Sequence, residues 1–158
     1  DGRWLVRTQW HGPTELLDQN DFSIIRPLPG SRARAVFSPN GEWLVIATGA
    51  DYSILETNDW NVIWHLERDS SGIGLGAAAF SRDGKSLALI DHPESIKLLR
   101  VDTWDELATF TPPFPAGMSC LRFSPDAGRL AASTTDGHVL VWDLVRIRHQ
   151  LRQFDLDW

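Results

Sequence analysis

One short segment recurs three times along the chain and limits the possible folds more than any other feature. Its phenylalanines, Phe37, Phe80 and Phe123, lie 43 residues apart, and each is followed by a serine and a turn-forming sequence of the Pro-Asn-Gly or Asp-Gly type. In the third copy, Ala127 is interpreted as an extra residue ahead of the glycine. Residues 1–6 resemble the second half of a fourth copy whose first half is absent. Self-similarity at a fixed period predicts a repeat architecture.

A second signal is in register with the first. An acidic, amide or hydroxyl turn residue stands directly before each of three aromatic residues, Phe22, Trp60 and Trp104, and a short apolar segment follows each one. Coincidence is a poor explanation for two independent features that share one register. Together they predict that the chain consists of repeats of one structural unit.

Each repeat predicts short β-strands rather than helices. Asn-Gly and Asp-Gly are tight-turn sequences, and the segments beside them are rich in β-forming residues. The predicted strands are 33–37, 43–48, 52–56 and 61–66 in the second repeat, 75–80, 86–91, 95–101 and 105–110 in the third, and 118–123, 129–134 and 138–143 in the fourth. Four short strands in about 40–45 residues are typical of a β-propeller blade.

The segment 135–143, which ends in Trp142-Asp143, resembles the repeat of the WD-repeat family, and the Phe-Ser-Pro-Asp-Gly turn is similar to that family's other mark. The resemblance implies an all-β fold: a β-propeller of WD-repeat type with about four blades of four antiparallel strands in a partial ring. The chain departs from the family in having no Gly-His before the first strands and only one Trp-Asp pair. We therefore expect divergent blades held by apolar packing, of the kind found in bacterial members.

The whole chain, 1–158, is predicted to be a single propeller region, with blade-like repeats at 1–30, 31–72, 73–116 and 117–143 and a helical tail at 144–158. Leu144, Ile147, Leu151 and Phe154 are spaced 3, 4 and 3, which is typical of a helix that buries one stripe. An outermost strand is the alternative, because alternate residues in this segment are also apolar. The first blade lacks its inner strand and the last its outer strand. The chain thus reads as the C-terminal part of a longer propeller, as one half of a ring closed by a second copy, or as a four-blade monomer.

Composition removes several classes of function. The net charge of −6 argues against a nucleic-acid partner, and no apolar run is long enough for a membrane span. The single cysteine, Cys120, fits a reducing compartment, and we expect a cytoplasmic protein. The five histidines are scattered without metal-ligand spacing, and the glycine-rich segment 72–76 does not open a helix after a strand. We therefore expect no enzyme activity, catalytic residue, metal or cofactor.

The predicted function is a protein-binding scaffold. In the WD-repeat family, the loops that join an outer strand to the next inner strand share one face with those between second and third strands. Carried onto this chain, that face would hold the candidate partner-binding residues Trp10, His11, Arg32, Tyr52, His92, Phe114 and Met118. Aromatic residues and arginine dominate interface hot spots. The alternatives are a regulatory domain of a multidomain enzyme, such as a serine/threonine kinase fusion, and a half-ring that self-assembles.

Overall fold

Short antiparallel strands form most of the computed structural model, which describes residues 2–68 and 74–156. The chain divides into two units, Asp1–Ala77 and Ala78–Trp158. The blade boundary expected between residues 72 and 73 lies outside the described residues, as do both chain ends.

The first unit contains two sheets, one with strand order β1-β2-β3 and one with order β4-β5-β6-β7. Every neighbouring pair is antiparallel. The strands are β1 (Trp4–Arg7), β2 (Pro13–Asp18), β3 (Ile24–Ser31), β4 (Arg34–Phe37), β5 (Trp43–Ala47), β6 (Asp51–Glu56) and β7 (Val62–Glu67). The two sheets enclose one apolar cluster around Leu16, Leu44 and Trp60, against which Trp4 packs edge-on with 5.6 Å between ring centroids.

The second unit repeats this design and adds a helix. Its sheets have the orders β8-β9-β10-β11 and β12-β13-β14, again antiparallel. The elements are β8 (Ala78–Phe80), β9 (Ser86–His92), β10 (Ser95–Arg100), β11 (Glu106–Phe110), β12 (Met118–Phe123), β13 (Arg129–Thr134), β14 (Val139–Asp143) and α1 (Leu144–Arg152). Phe110 of β11 packs against Trp142 of β14 with 6.0 Å between ring centroids. The predicted all-β class, with four blade-like sheets and one C-terminal helix, is confirmed.

The predicted strands agree with the structure to within about one residue, with one exception. The strand expected at 75–80 is reduced to β8, because the Gly76 N–H donates to the carbonyl of Thr48 at 2.9 Å, a bond that belongs to no strand pair of β8. A Cβ atom at Gly76 would lie 2.7 Å from the hydroxyl of Tyr52. Close packing on Tyr52 therefore sets the path of the chain before β8.

The tail is a helix, as the apolar spacing predicts. Asp143 caps it, because its carboxylate accepts the N–H of Arg146 at 2.9 Å. Leu144 is buried, and Ile147 and Leu151 are partly buried. The expected stripe is wrong at its last member, since α1 ends at Arg152 and Phe154 follows it as an exposed turn residue.

The recurring Phe-Ser segment forms the same hairpin loop in all three copies. In each copy the serine N–H donates to the carbonyl five residues later, at 2.8–2.9 Å. This equal spacing shows that the interpretation of Ala127 as an extra residue is wrong. Ala127 takes the place of Gly41 and Gly84, with a φ of 57° against their 75° and 71°. The three copies have equal length, and alanine holds a left-handed conformation that glycine holds in the others.

The second repeated signal also has a common geometry. Each aromatic residue closes the loop before an outer strand in a left-handed conformation, and its N–H donates to the carbonyl four residues earlier at 2.8–3.0 Å. These residues are Phe22 (φ 58°), Trp60 (φ 63°) and Trp104 (φ 62°). Of the tryptophans expected to be buried, Trp60 is buried, while Trp43, Trp104 and Trp142 are partly buried.

The strain at Ala127 predicts a stabilising substitution. A left-handed conformation at alanine destabilises the folded state by about 1–2 kcal/mol. Glycine avoids this strain, but its more flexible unfolded chain lowers the stability by about 0.5–1 kcal/mol. Ala127→Gly should therefore raise the free energy of unfolding by about 0.5–1 kcal/mol in urea titrations. The matched reverse change is Gly84→Ala, whose new Cβ meets no atom within 4 Å. It should lower stability by a similar amount, and an unchanged midpoint in both variants would refute the argument.

The same loop predicts an acid-dependent contribution to stability. The Ser81 hydroxyl donates to Asp83 at 2.6 Å, and this bond holds the pKa of the Asp83 carboxyl below its ordinary value. Because the folded-state pKa is lowered, the ionised carboxylate stabilises the fold above about pH 4, and this stabilisation is lost as the pH falls through the folded-state pKa. Asp83→Asn should thus lose less stability than wild type between about pH 5 and about pH 3.

The first copy supplies the control, since Asn40 accepts the hydroxyl of Ser38 at 2.6 Å in the equivalent position. Because Asn40 Nδ2 also donates to the Glu42 carboxylate at 2.6 Å, Asn40→Asp is made together with Glu42→Gln, and this double variant should lose stability more steeply on acidification. Unfolding free energies of both variants, measured by urea titration across this pH range, check the sign. Equal pH profiles for wild type and both variants would contradict the assigned role of the carboxylate.

Candidate functional site

Two loops of the first unit meet at an exposed aromatic residue. The indole of Trp10, in the loop between β1 and β2, is 60% exposed. The guanidinium carbon of Arg32, which follows β3, lies 3.8 Å from the centroid of that ring. His11 meets the same ring edge-on, with 6.5 Å between centroids. We call Trp10, His11 and Arg32 the Trp10 platform.

Hydrogen bonds hold both loops in place. The Arg32 N–H donates to the carbonyl of Gln9 at 3.2 Å, and Arg32 has a φ of 48°. At the base of the other loop, the buried carboxylate of Glu15 accepts Nε of Arg7 at 2.8 Å and Nε2 of Gln9 at 3.3 Å. The two loops of the platform are therefore held by a backbone hydrogen bond and by charged side-chain contacts, in addition to their covalent connections to the strands.

A depression of about 500 Å³ lies beside the platform. It is lined by Gly30, Ser31, Arg32, Thr48, Gly49, Ala50, Asp51, Gly74 and Leu75. Buried Arg68 supports this lining, since its Nη1 donates to the carbonyls of Thr48, Gly49 and Gly74 at 3.0, 3.1 and 3.3 Å. The Thr48 hydroxyl donates in turn to the carboxylate of Asp51. The depression thus has a cation at its rim, a second beneath it and one carboxylate on its wall.

Two of the candidate partner-binding residues are buried in the structure. Tyr52 lies in β6 with no exposed surface, and its hydroxyl donates to the carbonyl of Ala77 at 3.1 Å. Met118 opens β12 and is also buried, and its N–H donates to the carbonyl of Pro93 at 2.8 Å. Their placement on an exposed loop surface is therefore wrong: both side chains belong to the packing beneath the loops.

The other candidates lie in the second unit. His92 is exposed at the end of β9, where its Nδ1 accepts the N–H of Glu94 at 3.2 Å. Phe114 is exposed in the loop after β11 and packs edge-on against His138, with 6.1 Å between ring centroids. His138 Nδ1 lies 3.1 Å from the carboxylate of Asp136. A hydrogen bond from Thr134 and a second from His138 lower the pKa of the Asp136 carboxyl.

Sequence reasoning did not identify two side chains of these loop clusters, Arg68 and His138. Arg68 follows β7 and gives no signal, because the carbonyls that it binds lie about twenty residues earlier and six residues later. His138 stands after an Asp-Gly turn, and Phe114 reaches it from a loop 24 residues earlier. Only the fold shows these pairings.

A second depression, of about 740 Å³, lies where α1 follows β14. Its lining carries both signs of charge: Ser124, Pro125, Asp126, Gly128, Arg129, Asp143, Val145, Arg146 and His149. The carboxylate of Asp126 accepts the N–H of Gly128 within the turn, and that of Asp143 accepts the N–H of Arg146 as the helix cap. Local structure therefore accounts for both carboxylates of this depression.

The described residues contain no group of three or more metal-ligating side chains, and none of their helices is long and apolar enough to cross a bilayer. One serine and histidine approach each other, with 3.4 Å between Ser53 Oγ and His65 Nδ1. They are directly opposed residues of β6 and β7, and Ser53 is buried. This contact is a cross-strand pair within a sheet.

Comparison with known proteins agrees with the repeat pattern. Residues 104–143 match the family described as WD domain, G-beta repeat. The matched segment begins at the left-handed Trp104 and ends at the Asp143 helix cap, so it covers β11 to β14. A search of curated proteins finds no significant match to the chain.

Proposed function

We propose, from the premise that this chain is a WD-repeat protein, that it is a non-catalytic scaffold that binds a protein partner through the Trp10 platform. The observation that carries the proposal is the exposed indole of Trp10 with the guanidinium of Arg32 stacked on it. Tryptophan and arginine are the residues most enriched in interface hot spots. A large exposed aromatic ring contributes little to folding, and its burial against a partner would stabilise a complex.

The attachment of the platform supports this role. Binding costs less free energy when the contact residues already have one conformation. The bond from Arg32 to Gln9 and the contacts of Glu15 with Arg7 restrain both loops before any partner arrives. The adjacent depression offers a concave surface into which a partner side chain could enter.

His92 and Phe114 are proposed as a separate contact area on the second unit. Phe114 presents an exposed aromatic face, and His138 supports it from the side. Residues 1–158 are proposed to form one propeller region with the boundaries given above. The exposed free thiol of Cys120 supports a cytoplasmic location, since such thiols persist in reducing compartments.

A second candidate function is self-assembly of two copies, and the last sheet favours it. β14 pairs only with β13 among the described strands, whereas β6 and β10 each have a strand on both sides. Val139 and Val141 of β14 are 66% and 58% exposed, while the apolar residues of β6 and β10 are buried. An unpaired edge beside exposed β-branched residues can accept a further strand, and a second copy of the chain would supply one.

The scaffold proposal predicts that binding depends on Trp10. Peptides selected from a display library on the wild-type chain should bind Trp10→Ala at least about thirtyfold more weakly, because hot-spot truncation costs about 2 kcal/mol or more. Surface plasmon resonance measures the affinities. The matched control is Phe22→Asn, which removes an exposed aromatic at the opposite end of β2 and suits the left-handed backbone there. Peptides that bind both variants equally would count against the platform.

Self-assembly predicts a concentration-dependent mass. The wild-type chain should form dimers at tens of micromolar, and the pair of changes Val139→Thr and Val141→Thr should weaken dimerisation roughly tenfold by making the exposed face polar. Threonine keeps the β-branched shape, so β14 should remain folded. Val62→Thr on β7 is the control. Sedimentation velocity reports the result, and a monomer at every concentration would remove this candidate.

A further inference from the structure

Among the described residues, no charged side chain pairs with the guanidinium of Arg32. Its one side-chain contact is the stacking on Trp10, and it makes no hydrogen bond or ion pair within residues 2–68 and 74–156. Stacking covers one flat face of the group and leaves the N–H donors around its edge available. An arginine oriented in this way is prepared to bind a planar anion with two parallel hydrogen bonds.

The charges around the depression are complementary to an anion. Among the described residues of the depression, Arg32 lies at its rim and Arg68 beneath its lining, and Asp51 supplies one carboxylate. Asp51 already accepts the hydroxyl of Thr48. The local balance is therefore positive, although the whole chain carries a net charge of −6.

The backbone at Arg32 is also strained. Its φ of 48° is a left-handed value that glycine would adopt without strain. The residue present there instead has the side chain that stacks on Trp10. The backbone strain thus coincides with the position at which a guanidinium is displayed.

We infer that the Trp10 platform binds an acidic peptide segment of its protein partner, with a glutamate or aspartate carboxylate paired to Arg32 and a neighbouring apolar side chain on the indole of Trp10. This inference rests on the proposed scaffold function and specifies its ligand chemistry. A carboxylate matches the planar fork of arginine in shape and charge. A polyanion such as nucleic acid fits less well, because the net charge of −6 on the whole chain would repel its many phosphates.

The test compares two short rhodamine-labelled peptides, one in which glutamate alternates with leucine and one in which glutamine replaces every glutamate. Fluorescence anisotropy should show that the glutamate peptide binds at least about tenfold more tightly, because a charge-assisted hydrogen bond is lost in the other. Arg32→Gln should reduce binding of the glutamate peptide by a similar factor. Arg32→Lys should fall between the two, since lysine keeps the charge but lacks the fork.

Arg82→Gln is the matched control, because it removes the same charge from an exposed turn of the second unit. It should leave the affinity within about twofold of wild type. Equal binding of the two peptides, or equal losses in Arg32→Gln and Arg82→Gln, would overturn the inference. Unchanged thermal unfolding of each variant shows that it is folded.

The outcome is separable from that of the scaffold proposal. Display-selected peptides that require Trp10 but contain no acidic residue would overturn the carboxylate inference and leave the scaffold role standing. Acidic peptides that lose affinity on both Trp10→Ala and Arg32→Gln would support both. Selected peptides that are indifferent to both substitutions would overturn both.

Discussion

Burial of one small sheet against another is the interaction on which the rest of each unit depends. A strand such as β8 has three residues, and a sheet of three or four strands this short is stable only when its apolar face is covered. In the first unit the two sheets share the apolar cluster that includes Leu16 and Leu44. Glu15, next to Leu16 in β2, then anchors the loop that carries Trp10. The geometry of the candidate site thus follows from the packing beneath it.

The sequence predicts the sheets well because their signals are local. A hairpin is recognised by a turn residue that tolerates positive φ and by strand-forming apolar residues on both sides of the turn. Both signals lie within one repeat. The error at Ala127 arose from aligning glycine with glycine. The backbone hydrogen bond that closes each loop has a fixed span, and this span, rather than residue identity, sets the register. The helix was predictable from its spacing, but its end was not, because Phe154 has no sheet residue to cover it.

The candidate site was only half predictable, for a different reason. The family resemblance placed Trp10 on the loop face, and its indole is exposed there. Tyr52 was expected on the same surface, but its hydroxyl donates to the carbonyl of Ala77, 25 residues away, and its ring is buried. The stack of Arg32 on Trp10 likewise joins residues from different loops. Contacts of this kind depend on tertiary structure, and no local pattern in the sequence encodes them.

The division between repeated and unrepeated residues connects these findings. The serine that accepts and donates within the Phe-Ser turn recurs with the same bonds in three copies, so its role is architectural. Trp10 and Arg32 occur once, lie outside the apolar cluster and contribute little to the sheets, and the chain even tolerates backbone strain at Arg32. Residues that the fold does not require are free to serve a partner. In a chain built from copies of one unit, the places where a copy differs at its exposed loops are therefore where binding specificity can reside.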